Sequence, residues 1–155
     1  MSTKIITIKS FAEMGFYRLS NITKDLTEHH LDWTSCSEAN TIRTILTHLN
    51  QELHVYLPRM LIGKTPEDWP EDYTGNPSYS LEKIMKDLTE GKTKLYEMLD
   101  DTTDEALEKE VDLFMGKRPL QFYVTLMISE IIHHEGQIAA ILGVERRMNP
   151  TGPQN

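Results

Sequence analysis

Residues 122–142 read Phe122-Tyr-Val-Thr-Leu-Met-Ile-Ser-Glu130-Ile-Ile-His-His134-Glu-Gly-Gln137-Ile-Ala-Ala-Ile-Leu142. At about 100° per residue this is a helix, and Tyr123, Met127, Glu130, His134, Ile138 and Ile141 share one narrow face. Glu130 and His134 are four residues apart, one turn from each other, within a stripe that otherwise reads as core. A buried carboxylate has to be paired, ligated or protonated. One explanation is a Glu–His hydrogen bond inside a helix bundle. The other is a metal site with both residues as ligands. Glu-x-x-x-His is common on helices, so the spacing alone favours the hydrogen bond. His133 points well off this face, toward the boundary or the surface.

Working outward, the same period governs most of the chain. Phe11, Met14, Ile22 and Leu26 mark a first helix from about Ser10 to His30, with Phe16 off its main face. Gly15 on that helix leaves room for a neighbouring backbone. Arg18 lies among its apolar positions. It reads first as a side chain that buries its stem and reaches water, and second as a pocket residue for an anionic substrate. Residues 31–40 read as a loop, with Asn40 or Thr41 as the next cap. Ile42, Ile45, Leu46, Leu49, Leu53, Leu57, Met60 and Leu61 form one long stripe, kinked at Pro58 and stopped by Gly63. The Pro- and Gly-containing connection from Gly63 to Tyr79 is the longest, and its Trp69 and Tyr73 read as pins against the core. A third helix starts at Ser78 or Ser80 and carries Leu81, Ile84, Leu88, Leu95 and Leu99, weakened at Gly91. Residues 103–110 make a further turn or two. Residues 115–119 break the chain before the fourth helix, expected over 120–143.

Four long helices without alternating strands predict an all-α fold, a four-helix bundle with a long loop between its second and third helices. A single domain over 1–145 and a disordered polar tail over 146–155 complete the expected organisation. The chain has 155 residues, enough to bury about 70% of its unfolded surface without staples. Its one cysteine, Cys36, excludes an intrachain disulfide and an all-cysteine zinc site. In the Ser35-Cys36-Ser37 segment it has no basic neighbour to activate it. A net charge of −8, with Lys117-Arg118 and Arg146-Arg147 as the only adjacent basic pairs and no basic stripe, argues against nucleic acid as a partner. No apolar run approaches the ~18 residues of a membrane span, and the N-terminus lacks a signal-peptide core, so a cytoplasmic protein is expected. There is no Gly-rich phosphate loop and no serine or cysteine nucleophile beside a base. Apolar residues outside the main stripes, Phe16 and Ile132, admit a homodimer or a second neighbour within the bundle.

A metal on the last helix would need a ligand from the second, where His48, Glu52 and His54 are available. His48 sits on the flank of the stripe, Glu52 one turn further, and His54 faces elsewhere; the period permits His48 without choosing it. His48-Leu49, followed much later by His133-His134-Glu135-Gly136-Gln137-Ile138-Ala139, resembles the DinB/YfiT-like family of metal-dependent four-helix-bundle proteins. The resemblance spans nearly the whole chain in helix order, and His-x-Gly-Gln-Ile is its most specific part. It implies a metal held by His48, Glu130 and His134. Glu52, Arg18, Tyr123 and Gln137 would then support the ligands or line the pocket beside them. Glu130 stands where the family usually has histidine, which makes the site harder and more anionic.

Two His and one Glu suit zinc, nickel, iron or manganese. Three protein ligands leave a position open, where a bound water would have its pKa lowered toward ~7 or a thiol would be deprotonated. The resemblance implies a thiol S-transferase, joining a low-molecular-weight thiol such as bacillithiol to an electrophile, or a hydrolase. Either way the expected partner is a small-molecule substrate. The alternative reading is a metal-free dimeric stress-response or binding module, with Glu130 and His134 bonded to each other.

Overall fold

A computed structural model describes residues 2–64, 66 and 68–149. The protein is mostly helical. Helix α1 (Thr3–Thr23) is followed by a short α2 (Glu28–Asp32). The second long segment is built in three pieces: α3 (Ile42–Gln51), a π-helical turn (Glu52–Tyr56) and α4 (Leu57–Ile62). Then come α5 (Leu81–Asp100), the short α6 (Asp104–Glu108), strands β1 (Glu110–Leu113) and β2 (Gly116–Pro119), and α7 (Leu120–Met148). α7 lies along α1 and also packs on α3 and α4, while α5 packs on α1, α3 and the π turn. Their inward faces form one core that includes Leu19, Leu46, Leu49, Leu95, Ile128 and Ile131.

Caps set most of the boundaries. The Ser2 hydroxyl accepts from the Ile5 amide, so α1 begins seven residues before the expected Ser10 and adds Ile5 and Ile8 to the core. Its buried stripe is Ile5, Ile8, Ala12, Phe16, Leu19 and Thr23. This corrects the expected face: Phe16 is buried, whereas Met14 is 47% exposed. The expected single helix to His30 is instead interrupted, because Thr27 caps α2 in a capping box with His30. Gly15 does sit at a close approach, since a Cβ there would lie 3.3 Å from the Ile131 side chain and 3.5 Å from that of Ile132. Ile132 therefore has its second neighbour inside the molecule.

The second segment stays helical through Pro58 to Ile62, and its departure from α geometry begins before the proline. Pro58 has no amide hydrogen to give to residue 54. The chain widens ahead of it, and the Leu57 amide bonds the Glu52 carbonyl five residues back. Gly63 then ends α4 with φ 67°. Across from the π turn, Gly91 lets α5 approach closely: a Cβ would lie 2.9 Å from Leu53 Cβ and 3.0 Å from His54 Nε2.

The long connection is pinned by rings and a buried polar chain. Trp69 stacks on His54 at 4.4 Å between ring centroids, and Tyr73 lies 4.6 Å from Trp69. The Tyr73 hydroxyl accepts from Asn50 Nδ2 and donates to the buried Asp87, while His54 Nε2 donates to the Asp87 carbonyl at 2.7 Å. Burial pushes the Tyr73 hydroxyl well above the usual phenol range and pulls His54 below the usual imidazole value.

The segment before α7, read from sequence as a plain break, is an antiparallel hairpin with Leu113 paired to Gly116. Gly116, at φ 78°, takes the left-handed position that follows Phe114 and Met115. Tyr123 donates its hydroxyl to the Gly116 carbonyl, which ties the hairpin to α7. α7 continues through Met148, five residues beyond its expected end at 143. Residues 150–155, where a disordered tail was expected, lie outside the described residues.

Candidate metal centre

Three side chains converge between α3, the π turn and α7. Donor atoms of His48, Glu52 and His134 all lie within 4.8 Å of one another. His48 Nε2 is 3.3 Å from Glu52 Oε1, and the His48 and His134 rings meet edge to face at 5.3 Å. Two donors at 2.0–2.2 Å from one tetrahedral ion stand roughly 3.3–3.6 Å apart, so the His48–Glu52 pair already has the separation of co-ligands.

The hydrogen bonding leaves the right atoms open. His134 Nδ1 donates to Gln137 Oε1 at 2.9 Å, one turn further along α7. That bond fixes the tautomer with a lone pair on Nε2. His134 Nε2 is buried and has no hydrogen-bond partner among the described residues; the same holds for Glu52 Oε2. Glu52 is only 6% exposed and His134 only 7%. Two orphaned acceptors in one small space are costly unless something electropositive joins them. Their chemistry, imidazole nitrogen and carboxylate oxygen, fits a divalent cation.

His48 is half-buried, and its ring nitrogen is held above the usual imidazole range. The bond to Glu52 is the main cause, and the charges of Glu52 and Glu130 add to it, against the opposing effect of burial. Glu130 is partly buried and lines a cavity of about 480 Å³ together with Glu52 and Arg59. The side chain that converges with the two histidines is thus Glu52, with Glu130 alongside. Three of the other side chains singled out from sequence stand as follows. Gln137 orients His134. Tyr123 is fully buried, its hydroxyl spent on Gly116. Arg18, 52% exposed at its side chain, pairs with Glu135 at 2.8 Å, so the anion-pocket reading of Arg18 gives way to an ordinary surface ion pair. His133 is exposed, and His54 belongs to the loop anchor.

The i,i+4 spacing of His48 and Glu52 was visible in the sequence. The π turn that starts at Glu52 was not, and it sets where that carboxylate points relative to α7.

Fold and cluster together define a mostly helical protein with a candidate His/Glu metal site. A family model described as the DinB superfamily matches residues 13–138, and the chain belongs to that superfamily. No curated protein sequence matches it. A solved structure, described as a conserved protein of a locus from Enterococcus faecalis, shares its fold with a TM-score of 0.67 at 15% identity. That likeness covers 92% of this chain and 99% of the other.

Proposed function

We propose that this chain is a metal-dependent enzyme, built as a four-helix bundle, that uses a divalent cation held by two histidines and carboxylate oxygen. The observation that carries the reading is the pair of buried, unpartnered acceptors, Glu52 Oε2 and His134 Nε2, beside His48. Membership of the DinB superfamily supports it. A cation held there would supply Lewis acidity and leave coordination positions for a small molecule. The reaction that suits such a site is transfer of a low-molecular-weight thiol to an electrophile, or hydrolysis.

The protein's own side chains have separable tasks in this scheme. Gln137 keeps His134 in one tautomer and orientation. Glu52 brings one negative charge, which offsets half of a dication's. Glu130, at the cavity wall, can complete the donor set or take a proton from the attacking group. The working unit is proposed to be a homodimer in the cytoplasm.

The test is metal content by mass spectrometry, on protein never exposed to chelator. Wild type should hold about one divalent metal per chain, and His134→Ala should lose most of it. Equal, near-zero metal in both would remove the proposal in favour of a metal-free binding module.

A further inference from the structure

The cavity beside the cluster has a composition that the metal alone does not require. Six of its lining side chains are apolar or aromatic: Tyr56, Met60, Leu113, Phe114, Leu126 and Met127. Glu52 and Glu130 also line it, as does Arg59. At about 480 Å³ it falls within the ~300–1,000 Å³ typical of small-molecule sites, which are mostly apolar with a few placed polar groups. A cation and its inner ligands occupy only a small corner of such a volume. The rest needs an occupant with surface to bury.

One wall comes from outside the long helices. Leu113 and Phe114 lie at the end of β1 and in the turn of the hairpin. Phe114 is 68% exposed and Met115 51%, although hairpin tips usually carry polar residues. The Phe114 ring meets Tyr123 edge to face at 5.3 Å, and Tyr123 in turn anchors the hairpin through Gly116. An exposed aromatic held at the mouth of a cavity gains by packing on something inserted there. Glu52, which belongs to the cluster with His48 and His134, also lines this cavity and so joins the two.

We infer that this chamber binds a substrate with an uncharged, ring-sized apolar body, its reacting end at the His48–Glu52–His134 cluster and its body covered by Phe114. The inference rests on the proposed site, since it assigns the kind of molecule that site would take. Specificity would then lie in the hairpin and in Met60 of α4, rather than in the ligating residues.

N-phenyl-1-naphthylamine, an uncharged apolar fluorophore, is a suitable probe on the full-length protein. Wild type should bind it saturably, one per chain, with a rise in fluorescence. Phe114→Ala should weaken binding about tenfold, the order expected for losing contact with one aromatic side chain. Met60→Trp, which fills the chamber, should abolish it. Both variants should keep the wild-type helical circular dichroism and metal content. Because Phe114 is largely exposed, its removal reports on binding even if Met60→Trp fails to fold. His134→Ala should lose metal yet bind the probe within about threefold of wild type, a change worth under ~1 kcal/mol. Non-saturable binding to wild type, or unchanged binding in Phe114→Ala or in a folded Met60→Trp, overturns the inference. Metal content decides the other question separately: probe binding without metal would defeat the enzymatic reading while leaving the chamber, and metal without probe binding would do the reverse.

Discussion

His134 shows how a single hydrogen bond can prepare a side chain to act as a ligand. Its Nδ1 is committed to Gln137, so Nε2 has only its lone pair to present toward His48 and Glu52. Gln137→Ala should therefore weaken metal affinity by about 10–100-fold with the three donors still present, as read by competition with a chromogenic chelator. Affinity equal to wild type would mean that the glutamine does not hold the ring. In the same assay Glu52→Gln should cost more than Glu130→Gln, because only Glu52 converges with both histidines; the reverse order would make Glu130 the principal carboxylate. A second titratable contact lies outside the cluster, at the start of α3. Arg43, buried in α3, donates through Nε and Nη2 to Asp32 at 2.6 and 2.7 Å and also to the Tyr79 carbonyl. The guanidinium holds the Asp32 carboxyl below the usual carboxylate range. The resulting stability is present above the unfolded value of about 3.9 and is lost as pH falls through the lower folded value. Wild type should then lose stability more steeply than Asp32→Asn as pH drops below about 4, in urea melts at stepped pH. Parallel slopes would show that the pair does not couple to folding.

The elements expose a difference between period and phase. A 3.6-residue repeat was readable along all four long segments, but the buried face of α1 was set by Ile5, Ala12, Phe16 and Leu19, and partners outside the sequence window fix that choice. Met14 fits an apolar stripe equally well on paper and ends up in solvent. The hairpin was hidden for another reason: four-residue strands carry too little alternation to stand out, and their pairing is fixed by Gly116 and by the anchor from Tyr123. Gly91 looked like a weak point in a helix. The structure makes it the condition for α5 to lie against Leu53 and His54. Gly91→Ala gains about 1 kcal/mol of helix propensity but must displace a side chain held against α5, at a cost of about 1–3 kcal/mol. Net destabilisation is expected in equilibrium urea unfolding, together with weaker packing of Trp69 on His54 by near-ultraviolet circular dichroism. A stabilised Gly91→Ala would mean that the two segments separate without penalty.

At the scale of the molecule, the sequence made the helical class and the two histidines legible because both depend on local spacing and on motif. It could not reveal that Glu52 would reach the cluster, since that depends on where a π turn places one carboxylate against a helix about 80 positions away. Assembly is a further property that local spacing leaves open. The outer side of α1 bears Ile6 at 50% exposure and Tyr17 at 69%, which lie within about 20° of each other around the helix, with Met14 nearby at 47%. Isolated exposed apolar residues are ordinary, whereas a row of them on one helix suits a self-complementary two-fold contact, in which each copy offers the same face. A stable pair usually buries about 800 Å² on each partner, which α1 together with the adjoining edge of α7 is long enough to provide. The proposed homodimer therefore predicts a light-scattering mass twice the 17.9 kDa of the chain. Ile6→Glu combined with Tyr17→Glu should shift it to the monomer by placing four like charges in the contact, without unfolding a chain whose core they do not enter. Their effect on metal content should be nil, because the cluster forms from residues of one chain. A wild-type monomer, or a dimer indifferent to both charges, would move the interface off α1 and leave its exposed apolar row without a role.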